Sequence, residues 1–229
     1  SNTSSTHLAL GADSSLVLLG SYRGHVDFLA ASNGHELPYT ADYVSYFARL
    51  NPANGEVSQA MSYGRQFGTI LSFVATTDGY AASGYTGGNE GFHPTPDISL
   101  PSKGSNDAWV MTIDATGAVE WAGLIGGTSI DIAWDLAQDS ARRLVVVGTS
   151  ASPLVDLDPH PSLSYDVTGP DTFVLKLKQP PPTKFYVVND GSDRTYEYAA
   201  DGSAIENYGI NSGNSAPRGA ASTAEGTKL

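Results

Sequence analysis

Hydrophobic residues come in short runs separated by turn-forming residues. Three of these runs close on glycine: Leu16-Val17-Leu18-Leu19-Gly20, Tyr80-Ala81-Ala82-Ser83-Gly84 and Leu144-Val145-Val146-Val147-Gly148. Val57-Ser58-Gln59-Ala60-Met61 and Val119-Glu120-Trp121-Ala122-Gly123 alternate with a period near two, as half-buried strands do. The segments Asn51-Pro52-Ala53-Asn54-Gly55 and Asp114-Ala115-Thr116-Gly117 follow apolar runs and carry hairpin turn chemistry, with glycine supplying a positive φ. Asp78-Gly79 and Asp139-Ser140 predict two further turns. No twelve-residue window places apolar residues at i, i+3, i+4 and i+7 free of Gly or Pro, so the pattern predicts an all-β chain.

The pattern repeats. Glycines 20, 84 and 148 are spaced by 64 residues, and Asp107-Ala108-Trp109-Val110 precedes Asp171-Thr172-Phe173-Val174 by the same interval. The first copy, Tyr46-Phe47-Ala48-Arg49-Leu50, is offset by one residue, and Tyr63-Gly64 precedes Gly126-Gly127 by 63. Four short antiparallel strands at a fixed period are the pattern of a β-propeller blade, a unit that buries its faces only by stacking on neighbours. Each repeat also predicts one long connection, at about residues 21–43, 85–106 and 149–170. Loops of that length commonly carry function.

The run Asp107 to Gly117, followed by Trp121, Leu124-Ile125-Gly126-Gly127 and Asp131, resembles the SBBP repeat, a bacterial β-propeller repeat. Gly20-Ser21-Tyr22-Arg23-Gly24-His25-Val26-Asp27-Phe28 and Val155-Asp156-Leu157-Asp158-Pro159 resemble the acidic insert of that family. The middle insert reads Gly91-Phe92-His93-Pro94 and lacks the acidic pair. The resemblance spans about residues 7–178 and implies an extracellular or cell-surface propeller whose molecular activity is generally unknown. Residues 179–183, with Pro180-Pro181-Pro182, predict an extended, semi-rigid linker. From Lys184 to Leu229 a different pattern begins, similar to the opening of an NHL- or PQQ-like propeller repeat. Thr227-Lys228-Leu229 echoes Thr183-Lys184-Phe185 at a blade-like spacing of 44. About two and a half long repeats predict an incomplete propeller, marginal alone, with the rest of a parent chain needed to close it.

Composition narrows the functions. Acids outnumber bases 24 to 12, and only Arg142-Arg143 are adjacent bases, so no basic stripe exists to follow a phosphate backbone. No apolar run approaches the roughly 20 residues of a membrane-spanning helix. Cysteine is absent, which excludes disulfides, thiolate metal sites and cysteine nucleophiles. Nucleic-acid partners are not expected; a protein or glycan ligand fits better.

Catalytic motifs are sparse. His7, His25, His35, His93 and His160 form no HExxH pattern, and no G-x-S-x-G, P-loop or dinucleotide fingerprint occurs. Gly126-Gly127-Thr128-Ser129-Ile130-Asp131 half-matches a calcium-binding nonapeptide, but it occurs once and lacks the third glycine; a tight glycine turn explains it better. Trp109, Trp121 and Trp134 fit core aromatics better than a sugar-stacking platform. Asp27, Asp156 and Asp158 are the candidate metal ligands, because Ca²⁺ takes carboxylate and carbonyl oxygens and residues i and i+2 of a strand face one side. A solubilising acidic turn is the competing reading. The sequence therefore predicts a non-enzymatic binding or scaffold segment without a cofactor other than this candidate Ca²⁺. The alternative is a fragment of a lyase-like or carbohydrate-active propeller enzyme.

Overall fold

The computed structural model describes residues 2–28, 36–87, 92–96, 98–160, 164–169, 172–177, 184–189, 194–199 and 204–209, with side chains described within residues 7–177. The chain divides into two compact units, Ser1–Leu177 and Lys178–Leu229. Every regular element among the described residues is a β-strand, as the sequence pattern predicts.

In the first unit, β1 (Asn2–Leu10), β2 (Leu16–Asp27), β3 (Glu36–Leu50) and β4 (Val57–Ser62) form an antiparallel sheet in chain order. The second sheet begins the same way with β5 (Thr69–Ala75), β6 (Gly79–Tyr85), β7 (Ala108–Asp114) and β8 (Val119–Gly127). In the third, β9 (Asp131–Gln138) and β10 (Leu144–Ser150) pair with β13 (Thr172–Leu177). Between β10 and β13 lie β11 (Leu154–Asp156) and β12 (Asp166–Thr168), which pair with each other. β11 also pairs with β8, Val155 opposite Gly127 and Asp156 opposite Gly126, so the third repeat's insert extends the second sheet to six strands. The second unit holds β14 (Lys184–Asn189), β15 (Arg194–Ala199) and β16 (Ala204–Gly209), antiparallel in chain order. The predicted proline linker at 179–183 and the echo at Thr227-Lys228-Leu229 lie outside the described residues.

The recurrence of the glycine has a local cause. In all three sheets the ladder between the first two strands slips at a bulge: between Ser4 and His7 on β1, between Ile70 and Ser72 on β5, and across Val147 and Gly148 for β9 and β10. A bulge twists the strand and pushes its backbone toward its neighbour, where only glycine fits. A Cβ on Gly84 would lie 1.8 Å from the Thr69 carbonyl oxygen, and one on Gly148 would lie 2.4 Å from that of Ile132. The next strand places an aromatic residue opposite each glycine: Tyr46 against Gly20, Trp109 against Gly84 and Phe173 against Gly148. The one-residue offset of the first copy disappears in this register. Glycine and aromatic recur together because the ring covers the gap left by the missing side chain.

The sheets of the first unit bury apolar faces against one another. Val17, Leu19 and Phe47 of the first sheet pack with Phe73, Tyr80, Met111 and Ile113 of the second. The opposite face of the second sheet contributes Ala81, Val110 and Ile125 to a cluster with Ala133, Leu136, Leu144, Val146 and Phe173 of the third. Covered on both sides, β7 is buried at six consecutive positions, from Ala108 to Ile113. β13, in contact on one side, alternates exposed and buried along Thr172, Phe173 and Val174. Burial of this apolar area is the main force holding the sheets together.

The hairpin turns follow expectation at Gly55 (φ 72°) and Gly117 (φ 91°). The turn at Asp139 differs: its left-handed residue is Arg142 (φ 64°), and Asp139 closes it by accepting the amides of Ala141 and Arg143. The long connections also differ from the predicted loops. Most of 21–43 is paired strand, because β2 runs on to Asp27 and β3 starts at Glu36. The second insert folds back through a bridge between Phe92 and Leu100. Phe92 stacks on Trp109 at 4.9 Å, and the third insert is the β11–β12 hairpin.

Candidate functional site

The third insert brings charge onto the second sheet. Lys103, on the loop leading into β7, reaches the Asp156 carboxylate at 2.7 Å and donates a longer bond to the Leu124 carbonyl at 3.2 Å. Asp156 Oδ1 accepts the backbone amides of Asp158 (3.0 Å) and Tyr165 (2.9 Å). Burial raises the Asp156 pKa, but the Lys103 ammonium and these two amides outweigh it and hold the carboxyl below its ordinary value. The arrangement clasps the β11–β12 hairpin against β8.

The three predicted metal ligands are distributed differently from expectation. Asp27 pairs with Glu36 at the far end of the β2–β3 ladder, in the first sheet. Asp156 ends β11, and Asp158 lies beyond the strand, accepting the His160 amide at 2.9 Å. The two therefore do not line one strand face; the chain turns between them on the Asp156 carboxylate. No group of three or more His, Cys, Asp or Glu side chains suited to a metal occurs among the described residues.

Two of the histidines make contacts between strands. His7 Nε2 bonds the Ile70 carbonyl at 3.0 Å, linking β1 to β5, and His25 lies 3.5 Å from Glu36 on the exposed hairpin. His35 lies outside the described residues. Trp109 is fully buried and Trp121 packs against the second core cluster, as expected of core aromatics. Trp134 is half exposed and donates its ring N–H to Thr149 Oγ1 at 2.9 Å.

Other polar groups join neighbouring sheets. Ser72 donates to Asp135 at 2.6 Å, and Arg142 pairs with Asp78, contacts that span 63 and 64 residues. The Thr77 amide donates to Gln138 Oε1 at 2.8 Å, and Tyr63 donates to the Gly117 carbonyl at 2.7 Å. Burial, with the nearby Asp114 charge, pushes the Tyr63 hydroxyl far above its ordinary pKa, so it remains a donor. Arg49 bonds Asp13 within the first sheet and reaches the Ala115 carbonyl across the same junction. Glu120 is raised by partial burial and by the charges of Asp114 and Asp78.

The glycine turn at Gly126-Gly127 adjoins two fully buried carboxylates. Asp107 precedes β7, and its Oδ2 accepts the Ser102 hydroxyl and the Lys103 amide, both at 2.8 Å. Asp131 begins β9, and its Oδ2 accepts the Gly127 amide at 2.8 Å and the Ser152 hydroxyl at 2.9 Å. A Cβ on Gly127 would lie 2.0 Å from the Leu154 carbonyl, so close approach of the insert explains that glycine. Asp107 was legible only as a repeat anchor, and Asp131 only as part of the glycine turn. What brings them together is the stacking of two sheets, which spacing does not encode. No family model matches the chain, and no curated protein matches it.

Proposed function

We propose that the chain is a non-enzymatic segment of an extracellular or cell-surface β-propeller that serves as a scaffold or binding surface. The observation that carries this reading is the use of repeat-spaced polar side chains to bond sheet to sheet, as in Ser72–Asp135 and Asp78–Arg142. Groups at these positions hold consecutive repeats in register. The order of the first two meanders, each starting from a bulged strand, also supports blades; β5 lies beside β1 on one side and β9 on the other. The inserts supply what a binding surface needs, because they carry varied side chains at the ends of a repeated framework. Exposed Tyr39 on the first insert and Tyr165 on the third are amphipathic rings suited to a protein or glycan ligand.

The test is a screen of the 229-residue chain against glycan and surface-protein arrays, run beside turnover assays on polysaccharide and lactone substrates. Saturable binding without turnover, weakened by Tyr39→Ala or Tyr165→Ala, supports the proposal. Turnover that survives repurification identifies an enzyme instead.

A further inference from the structure

We propose that Asp107 and Asp131 hold a hard divalent cation of the Ca²⁺ class beside Gly126, at the junction of the second and third sheets. Both residues are fully buried. Each uses Oδ2 for two hydrogen bonds, and the Oδ1 of each has no hydrogen-bond partner among the described residues. A buried carboxylate with an unpaired oxygen is costly unless a proton donor or a cation faces it.

Both carboxylates lie against Gly126. A Cβ built on Gly126 would lie 2.6 Å from Asp107 Oδ1 and 3.0 Å from Asp131 Oδ2. A side chain at 126 would press on both, so glycine is what lets the two carboxylates approach each other; Asp107 faces it with its unpaired Oδ1, and Asp131 with the Oδ2 already bonded to Gly127 and Ser152. The nearby ammonium of Lys103 does not neutralise the pair, because it is bonded to a third acid, Asp156, at 2.7 Å. Two carboxylates match the charge of one divalent ion. The Ser102 and Ser152 hydroxyls and the Lys103 and Gly127 amides donate to the Oδ2 atoms and so orient the carboxylates, leaving the Oδ1 oxygens for an ion, and the chain has no cysteine. Oxygen donors select Ca²⁺ or Mg²⁺ over softer metals, and the six to eight ligands Ca²⁺ takes would be completed by carbonyls and water.

The site belongs to this junction alone among the described ones. One repeat earlier, at the 63-residue spacing that relates Gly126 to Tyr63, the Asp131 position is Gly68. It is distinct from the acids of the inserts, since Asp156 is satisfied by Lys103 and two amides. With only two carboxylates, affinity should fall near the weak range of extracellular modules, about 0.1–1 mM. Because Asp107 enters β7 and Asp131 begins β9, the ion would tie the two sheets together and stabilise the first unit.

The test uses the full chain stripped with EDTA. Calorimetry with CaCl₂ should show one saturable site, and melting followed by tryptophan fluorescence should rise by several degrees at saturation. Asp107→Asn with Asp131→Asn should abolish both effects, whereas Asp27→Asn with Asp158→Asn should leave them unchanged. If the first double variant does not fold, terbium provides the check on the wild type. Tryptophan-sensitised terbium emission, reversed by Ca²⁺, should appear because Trp109 is two residues from Asp107. Absence of saturable Ca²⁺ and terbium binding up to about 10 mM, an order of magnitude above the weakest expected affinity, overturns the proposal. So does binding that survives in the Asp107/Asp131 variant or is lost in the Asp27/Asp158 variant.

Discussion

Replacing Gly84 by alanine tests why the glycine recurs. The new methyl would sit 1.8 Å from the Thr69 carbonyl oxygen and 3.0 Å from the Trp109 ring, whereas ordinary contact begins near 3.4 Å. Relief requires β5 and β6 to part by more than an ångström next to their bulge. That motion weakens about two ladder hydrogen bonds, at about 0.5–1.5 kcal/mol each. It also forces Trp109 from its stack on Phe92, an overpacking cost of about 1–3 kcal/mol. The expected loss is therefore about 2–6 kcal/mol, or roughly 4–24 °C in melting temperature for a unit of this size. Gly148→Ala should cost less, because its nearest neighbour is the Phe173 ring at 2.1 Å, which can rotate, ahead of the Ile132 carbonyl at 2.4 Å. Gly87→Ala meets nothing within 4 Å and should be neutral or stabilise by up to about 1 kcal/mol. Fluorescence reads the correct unit, since Trp109, Trp121 and Trp134 all lie within Ser1–Leu177. If Gly84→Ala melts within a degree or so of wild type, the bulge account of the repeat fails.

Phe92→Ala removes a buried ring that stacks on Trp109 and meets Phe67 edge-on at 6.2 Å; urea unfolding should show a loss of about 3–5 kcal/mol with altered Trp109 emission. Arg142→Ala breaks a cross-sheet ion pair whose side chains are each nearly half exposed, so the same measurement should register less than about 1 kcal/mol. Asp156 has a folded pKa below its unfolded one, so its stabilisation is present above the ordinary carboxylate range. It is lost as pH falls through the lowered value, so the Val155 and Tyr165 amides should lose exchange protection only below the ordinary carboxylate range. Lys103→Met should move that release to higher pH; release centred above about pH 5 in the wild type would contradict the assignment.

Strand content and turn glycines were legible because each is local, and the period because the same local pattern recurs. Alternation in Val119–Gly123 and the Asp114–Gly117 turn need only neighbouring residues to specify them. The bulges were hidden, although their consequence, the recurring glycine, was visible. The inserts were misread as loops because pairing such as Val155 with Gly127 depends on a strand from the preceding repeat. For the same reason, spacing singled out Asp156 and Asp158 and passed over Asp107 and Asp131. The first pair looks like a motif along the chain; the second pair meets only when two sheets stack.

Consecutive repeats stack face to face, and the third repeat's insert completes the edge of the second sheet. Nuclear Overhauser spectroscopy on the isotopically labelled chain tests this most directly. Cross-strand contacts between Val155 and Gly127 and between Asp156 and Gly126 are predicted, together with side-chain contacts from Val110 and Ile125 to Val146 and Phe173. Absence of both sets, with the Gly126 and Gly127 amides exchanging as a free sheet edge, would contradict the account.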